Sequence, residues 1–187
     1  MILLLVVAHY QVTIAATSIS LLDAEADERN AASDSTLPKH NEDLPLDPAR
    51  QISFTTTEGT WMSLDISPDG STIVFDLMGD LYTMPIDGGK AMPLTQGMAF
   101  DAHPTYSPDG SKILFMSDRS GSENAWILDV ETSETTQMTQ SNDEGMINGD
   151  WSPNGDLFVV AKGRRNFKLH IMHRDGGQGA AVVDEPS

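Results

Sequence analysis

Two histidines three residues apart, His170 and His173, form the pair whose residue type and spacing could bind a metal ion. On a helix, residues at this spacing share a face and could act together as ligands. On a β-strand, the same spacing points the two side chains to opposite faces. The internal repeat described below aligns His170 with Tyr82 and Trp126, which are ordinary strand positions. We therefore predict no metal site at this pair.

Asp101, His103 and Ser107 could together supply an acid, a base and a nucleophile. Ser107, however, belongs to a turn motif that occurs three times, and one chain does not need three nucleophiles. No Gly-x-Ser-x-Gly motif, which would present a serine on a sharp turn, accompanies it. The sequence accordingly predicts no catalytic residue.

Other charged and glycine-rich clusters are better explained by structure than by ligand binding. Acidic residues that could collect calcium lack the dense alternation of a calcium loop, and the ten methionines are expected to fill the core. Gly88-Gly89 and Gly176-Gly177 resemble hairpin closures and not phosphate-binding loops. We predict no cofactor in this chain. The candidate calcium ligands are Asp118, Glu123, Asp143 and Glu144.

A single basic cluster stands out near the C-terminal end of the sequence. It could dock an anionic group or an acidic partner, but a solvated loop and strand edge that balances acidic neighbours is the favoured interpretation. Its members are Lys162, Arg164, Arg165, Lys168 and Arg174.

The charge of the whole chain excludes some classes of partner. The 187 residues carry 11 Lys and Arg against 28 Asp and Glu, a formal net charge of −17. Such a surface repels phosphate backbones and anionic lipid headgroups, so nucleic-acid binding is disfavoured. There is no cysteine, which excludes disulfides and thiolate chemistry.

The first 50 residues differ in character from the rest. Residues 1–22 begin with an apolar run and reach small residues at Ala15 and Ala16, which is typical of a secretory signal peptide, although no basic residue precedes Arg29. A short buried strand or helix is the alternative, and a stable membrane span is not expected because polar residues interrupt the run. Residues 23–50 are acidic and proline-containing and are predicted to form a flexible linker.

Residues 51–187 contain an internal repeat. Ser67, Ser107 and Ser152 each open a Ser-Pro-Asp/Asn-Gly motif, and they lie about 40 to 45 residues apart. Each motif precedes an apolar run and then a second strand-like run. Proline presets the turn, Asp or Asn bonds the nearby backbone, and glycine accepts a positive φ. Short strands repeating with this period predict an all-β propeller segment of about three four-stranded blades.

The repeat resembles a known family. The second copy, Tyr106 to Gly110 followed by Ser117-Asp118-Arg119-Ser120-Gly121, resembles the TolB-type, WD-repeat-like propeller unit; the third departs from it with Asn154 and with Lys162 to Arg165. The stretch from Glu58 to Gly70 is similar to the N-terminal propeller of large exported amidohydrolase-family proteins. The resemblance covers roughly residues 52–179. It implies a metal-dependent hydrolase domain elsewhere in a parent protein, and this chain has no His-x-His metal motif.

From these observations we expect an incomplete propeller that acts as a non-catalytic scaffold, exported to the periplasm or beyond. Its partner would be another protein or a C-terminal domain of the same polypeptide. Two alternatives remain open: a TolB-type module for periplasmic protein interactions, and the propeller of a prolyl-oligopeptidase-like serine peptidase. Because propellers close with about four to eight blades, we expect the chain to be a fragment of a longer protein.

Overall fold

The computed structural model describes residues 8–9, 55–141, 145–163 and 165–182, and in these ranges the regular secondary structure consists of β-strands without a helix. Three four-stranded antiparallel sheets follow one another along the chain and correspond to the three repeats. We call them blades 1 to 3. The all-β prediction with three four-stranded blades is confirmed.

The strands of each blade are consecutive or nearly so. Two short strands, β1 (Ala8–His9) and β5 (Gly89–Lys90), pair in parallel beside blade 1. The strands of blade 1 are β2 (Leu64–Ile66), β3 (Thr72–Leu77), β4 (Asp80–Pro85) and β6 (Met92–Pro93). Those of blade 2 are β7 (Asp101–Tyr106), β8 (Lys112–Ser117), β9 (Asn124–Asp129) and β10 (Thr135–Gln137). Those of blade 3 are β11 (Met146–Trp151), β12 (Leu157–Lys162), β13 (Lys168–His173) and β14 (Ala180–Ala181).

The apolar runs form the second strand of each blade, and in blades 1 and 2 this strand is covered on both faces. In β8 every residue from Ile113 to Ser117 is buried, which explains an unbroken apolar run where a half-exposed strand would alternate. The register pairs Phe115 with Trp126. The equivalent pairs are Phe75 with Tyr82 and Val160 with His170, so the alignment of His170 with Tyr82 and Trp126 is confirmed.

Adjacent blades share their cores. One face of β8 and β9 packs on blade 1, where Ile113, Phe115 and Trp126 join Val74 and Leu81. The opposite face packs on blade 3, where Leu114, Met116 and Ile127 join buried residues that include Phe158 and Met172. Blade 2 is thus enclosed by its two neighbours, which is how a propeller buries the two faces of each sheet.

The predicted signal segment (1–22) and linker (23–50) lie outside the described residues, apart from Ala8–His9 in β1. Both therefore remain predictions. Within the described ranges, the structure contains no helical segment with the length and apolar character needed to cross a bilayer.

Candidate functional site

The Ser-Pro-Asp-Gly motif forms a closed turn in which its serine is fully engaged. Gly110 N donates to Ser107 O at 2.8 Å, and Gly110 has φ of 72°. The Ser107 hydroxyl is buried and donates to Asp109 Oδ1 at 2.6 Å. It also accepts a hydrogen bond from Lys112 N at 2.9 Å. This hydroxyl ties the turn to the start of β8, as the structural interpretation of the motif predicts.

The turn aspartates are held in their charged form by these bonds. Hydrogen bonds from Ser107 and from the backbone and side chain of Ser111 lower the pKa of Asp109 well below its usual range. The same arrangement around Asp69 lowers its pKa to about 2. In blade 3 Asn154 takes this place, and its Oδ1 accepts from Ser152 Oγ at 2.7 Å. The turn therefore needs an acceptor oxygen but not a charge.

Successive turns stack on one another from blade to blade. A Cβ on Gly110 would lie 3.4 Å from Pro68 Cδ, and a Cβ on Gly155 would lie 3.4 Å from Pro108 Cδ. Arg174 adds a contact between blades 2 and 3, with its Nη1 3.7 Å from Asp109 Oδ2 and 3.3 Å from Gly155 O. Each proline thus meets the glycine of the next blade.

The innermost strands are joined by polar contacts along an open groove of about 490 Å³. Asp65 on β2 accepts from Ile66 N through Oδ1 and from Tyr106 N of blade 2 through Oδ2, both at 2.8 Å. Asp65 therefore links blade 1 to blade 2. Blades 2 and 3 are joined by a different pair of residues, in which Trp151 Nε1 donates a hydrogen bond to Thr105 O at 3.2 Å.

Asp150 on β11 occupies the blade 3 position that Asp65 occupies in blade 1. Its Oδ1 accepts from Trp151 N at 2.8 Å, as Asp65 Oδ1 does from Ile66 N. No hydrogen bond joins its Oδ2 to another residue in the described part of the chain, and the residue is exposed. The next proline, Pro153, has no glycine of a following blade beside it in the described residues. Blade 3 thus carries an aspartate and a proline equivalent to those through which blade 1 contacts blade 2, and a proline equivalent to that through which blade 2 contacts blade 3.

A buried ion pair within blade 2 lies on the face that packs on blade 1. Arg119 Nη2 donates to Asp101 Oδ2 at 2.7 Å, and the two side chains are only 8% and 1% exposed. The guanidinium also stacks over Phe115 and Trp126, with 5.2 Å and 5.1 Å to the ring centroids. Burial, and then the charge of Asp101, raise the pKa of nearby Asp80 to about 6.

The candidate triad is not assembled. Asp101 pairs with Arg119, Ser107 bonds its own turn, and His103 reaches blade 1, where its Nδ1 lies 2.8 Å from the Ser63 hydroxyl. His103 sits at a bulge in β7 with φ of 55°. The sequence analysis missed this contact with Ser63, and no local pattern could have revealed it because the two residues are 40 positions apart.

The other predicted candidates are dispersed. His170 and His173 both lie on β13, so the strand interpretation is confirmed; His173 Nδ1 accepts from Asp175 N at 3.2 Å. Asp118 accepts from Phe100 N at 2.7 Å. Across the described ranges, no three His, Asp or Glu side chains are grouped as metal ligands. Asp143, Glu144 and Arg164 lie outside those ranges.

The Gly-Gly pairs close hairpins as predicted, and the basic cluster is spread over two strands and a loop. Gly88 N donates to Pro85 O, and Gly176 N donates to His173 O, both at 3.0 Å. Lys162 and Lys168 face each other across β12 and β13. Whether this cluster docks a partner remains a prediction.

Comparison with known proteins identifies the fold family. The model of the PD40 family, the TolB beta propeller domain, matches residues 46–184. The chain belongs to this family. The match includes all three TolB-type blades and agrees with the resemblance inferred from the repeat.

Three proteins are similar to this chain in sequence or in structure over the region of the blades. An uncharacterised protein of Agrobacterium fabrum is 32% identical over 135 residues, which are 63% of this chain and 44% of that protein. The solved structure of a TolB-like protein from Agrobacterium tumefaciens matches with a TM-score of 0.61 and 28% identity, covering 71% of this chain and 52% of the other. Tricorn protease homolog 1 of Streptomyces coelicolor is 26% identical over 124 residues, 64% of this chain and 12% of that protein. The chain therefore spans about half, or less, of the length of the relatives it matches.

Proposed function

We propose that this chain is a non-catalytic propeller scaffold within a longer exported protein. The observation that carries the proposal is the unmatched edge of blade 3. Asp150 Oδ2 and Pro153 repeat the groups that join blade 1 to blade 2, and blade 3 has no neighbour on that side in the described structure. The proline–glycine contact, which both junctions share, and the aspartate contact of the first junction are expected to hold a further blade here.

The outer face of blade 3 supports the same proposal through its apolar character. Leu157, Leu169 and Ile171 are 39%, 49% and 37% exposed, whereas the equivalent face of blade 2 is buried. An apolar sheet face left in water favours association. A fourth blade packed there would bury these side chains as blade 3 buries Leu114 and Met116.

The parent protein is proposed to be a hydrolase of the amidohydrolase type, with catalysis in a separate domain. The stretch from Glu58 to Gly70, which is similar to the propeller of such proteins, supports this choice. A second candidate is the propeller of a serine peptidase of the prolyl-oligopeptidase kind, favoured by the similarity to the Streptomyces tricorn protease homolog. In either case Ser107 is engaged in its turn and Asp101 in an ion pair, so neither supplies a catalytic group here.

Export is proposed from the N-terminal sequence. The apolar run of residues 1–8 and the small residues at Ala15 and Ala16 are the features that support a signal peptide. The same proposal includes a periplasmic or extracellular site of action, where a protein partner would meet the scaffold.

The intact mass of the native protein, read together with its open reading frame, tests these proposals. Further Ser-Pro-Asp-Gly blades followed by a His-x-His domain would support the amidohydrolase parent. A Gly-x-Ser-x-Gly motif would support the peptidase, and a ring of about six blades alone would support the TolB-type interaction module. A native protein that ends with blade 3 and unfolds cooperatively as a stable monomer would refute the scaffold proposal.

A further inference from the structure

The blade ends opposite the Ser-Pro-Asp-Gly turns expose large apolar side chains on blades 1 and 2. Trp61, Met78 and Phe100 are 102%, 72% and 63% exposed, and Met98 is 43% exposed. We call these four residues the apolar end patch. Single exposed apolar residues are normal on a protein surface, but a group that includes tryptophan is typical of an interaction site.

Contacts between the supporting segments place the members of the apolar end patch at one end of the blades. Phe100 lies over the β3–β4 hairpin, since a Cβ on Gly79 would be 3.2 Å from Phe100 Cδ2, and Asp101 N donates to Gly79 O at 2.8 Å. The segment that carries Trp61 is fixed beside the same hairpin because Ser63 N donates to the Asp76 carboxylate at 3.1 Å and Asp76 N donates to Ser63 O at 3.0 Å. The patch is therefore built on ordered strand ends.

The residue types at two patch positions are not explained by the backbone conformation that the fold requires there. Met78 and Gly79 form the two-residue loop between β3 and β4 with φ of 56° and 90°. Such loops favour Asn or Asp at the first position, because a positive φ is costly for a long side chain. Trp61 also has φ of 56°. Backbone strain of this kind is concentrated at binding sites, where a side chain is retained for its contacts.

The surroundings of the apolar end patch are acidic. The segments that carry and flank it, residues 55–63, 76–80, 95–101 and 117–123, contain Arg119 as their single Lys or Arg, and its guanidinium is buried against Asp101. Glu58 and Glu123 are exposed, and Asp118 is half-buried. A partner with anionic groups, including an anionic lipid surface, would be repelled here, whereas a cationic one would be attracted.

We propose that the apolar end patch docks a protein segment that inserts aliphatic or aromatic anchors between flanking Lys or Arg residues. Trp61 and Phe100 would supply the buried contacts, and the carboxylates around them would orient the cationic flanks. This proposal rests on the proposed scaffold role, because it assigns one binding surface to that scaffold. The patch itself lies within blades 1 and 2 and does not depend on the exposed face of blade 3.

The test uses a phage-displayed library of short random peptides, panned on the full chain, followed by a synthetic copy of an enriched peptide. Enriched peptides should combine apolar anchors with Lys or Arg, and binding should weaken as NaCl is raised. Met78→Asn, Trp61→Gly and Phe100→Ser should each weaken binding of the synthetic peptide by about tenfold or more. Val130→Ser is the matched control, since Val130 is also exposed but lies beside Ser111 at the opposite blade end.

Met78→Asn and Trp61→Gly suit their positive φ and should not reduce folding stability, so loss of binding in these variants cannot be attributed to unfolding. Enrichment of acidic peptides, binding that survives all three substitutions, or the absence of any enriched peptide would overturn the proposal. So would self-association that the same substitutions abolish, since it would identify the occupant as a second copy. Intact mass, which tests the scaffold role, is independent of all these outcomes.

Discussion

Replacing Arg119 by methionine should destabilise the protein by about 4 kcal/mol. The substitution leaves the Asp101 carboxylate, which is 1% exposed, without its cation, and breaking a buried pair in this way costs about 3 to 5 kcal/mol. Asp101 Oδ1 already lacks a hydrogen-bond partner, so no nearby donor compensates. Methionine retains the apolar packing against Phe115 and Trp126. The loss is a large share of a typical stability of about 5 to 15 kcal/mol.

Urea unfolding followed by tryptophan fluorescence and by circular dichroism measures this loss as a change in midpoint at constant slope. Arg119→Lys, which keeps the charge but cannot reach Ser117, Thr135 and Asp101 together, should cost about 1 to 2 kcal/mol. In a double-mutant cycle with Asp101→Asn, the two substitutions should couple by about 2 kcal/mol. A cost below about 1 kcal/mol for Arg119→Met, or additivity in the cycle, would refute the reasoning.

Three further predictions concern the turns and the buried carboxyl. Gly110→Val should cost about 2 kcal/mol in urea unfolding, because valine cannot easily adopt φ of 72°, whereas Ser111→Val should cost about 0.5 kcal/mol; equal costs would contradict the role of the glycine. Asp109→Asn should keep the turn, since Asn154 fills the same place in blade 3. In the wild type, the Asp109 carboxyl takes up its proton more readily in the unfolded chain, so the free energy of unfolding falls as pH drops below about 4; the variant should lack this contribution. Asp80, with its pKa raised to about 6, holds its proton longer when folded, so the free energy of unfolding should fall as pH rises from about 4 to 6, and Asp80→Asn should abolish that slope. Thermal melts from about pH 2 to 7 cover both ranges and check both carboxyls, and an unchanged slope in either variant would contradict the assignment.

The blades could be predicted because each one repeats the same local chemistry. Pro108 and Gly110 specify a turn without help from distant residues, and the apolar run from Ile113 to Phe115 specifies a strand buried on both faces. Thr95 and Thr139 also have the same role in blades 1 and 2. Their hydroxyls accept from Leu81 N and Ala125 N at 2.9 Å where the outer strand ends.

The contacts between blades could not be predicted in the same way. Asp65 reaches Tyr106 N and Ser63 reaches His103 across intervals that depend on how the blades stack. Within blade 2, Arg119 reaches Asp101 from a loop 18 positions away. None of these pairs is repeated at the second junction, so the internal repeat gave no indication of them. The Ser-Asp-Arg stretch belongs to the family pattern, but its role depends on contacts that the pattern does not contain, because Arg119 lies against two rings and a buried carboxylate.

Features that recur in every blade and features that occur once have different roles in this propeller: the former serve folding, and the latter are candidates for binding. Turns of the Ser-Pro-Asp-Gly type occur in every blade, and Asn154 shows that Asn can replace Asp in them. The loss of one turn should therefore lower the free energy of unfolding by the contribution of that turn alone. Trp61 and Met78, by contrast, occur once and adopt a positive φ that a more suitable residue would adopt at lower cost. If selection acted on folding alone, asparagine or glycine would be the better choice at both positions. Their presence as exposed apolar residues supports the proposal that blades 1 and 2 carry a recognition surface.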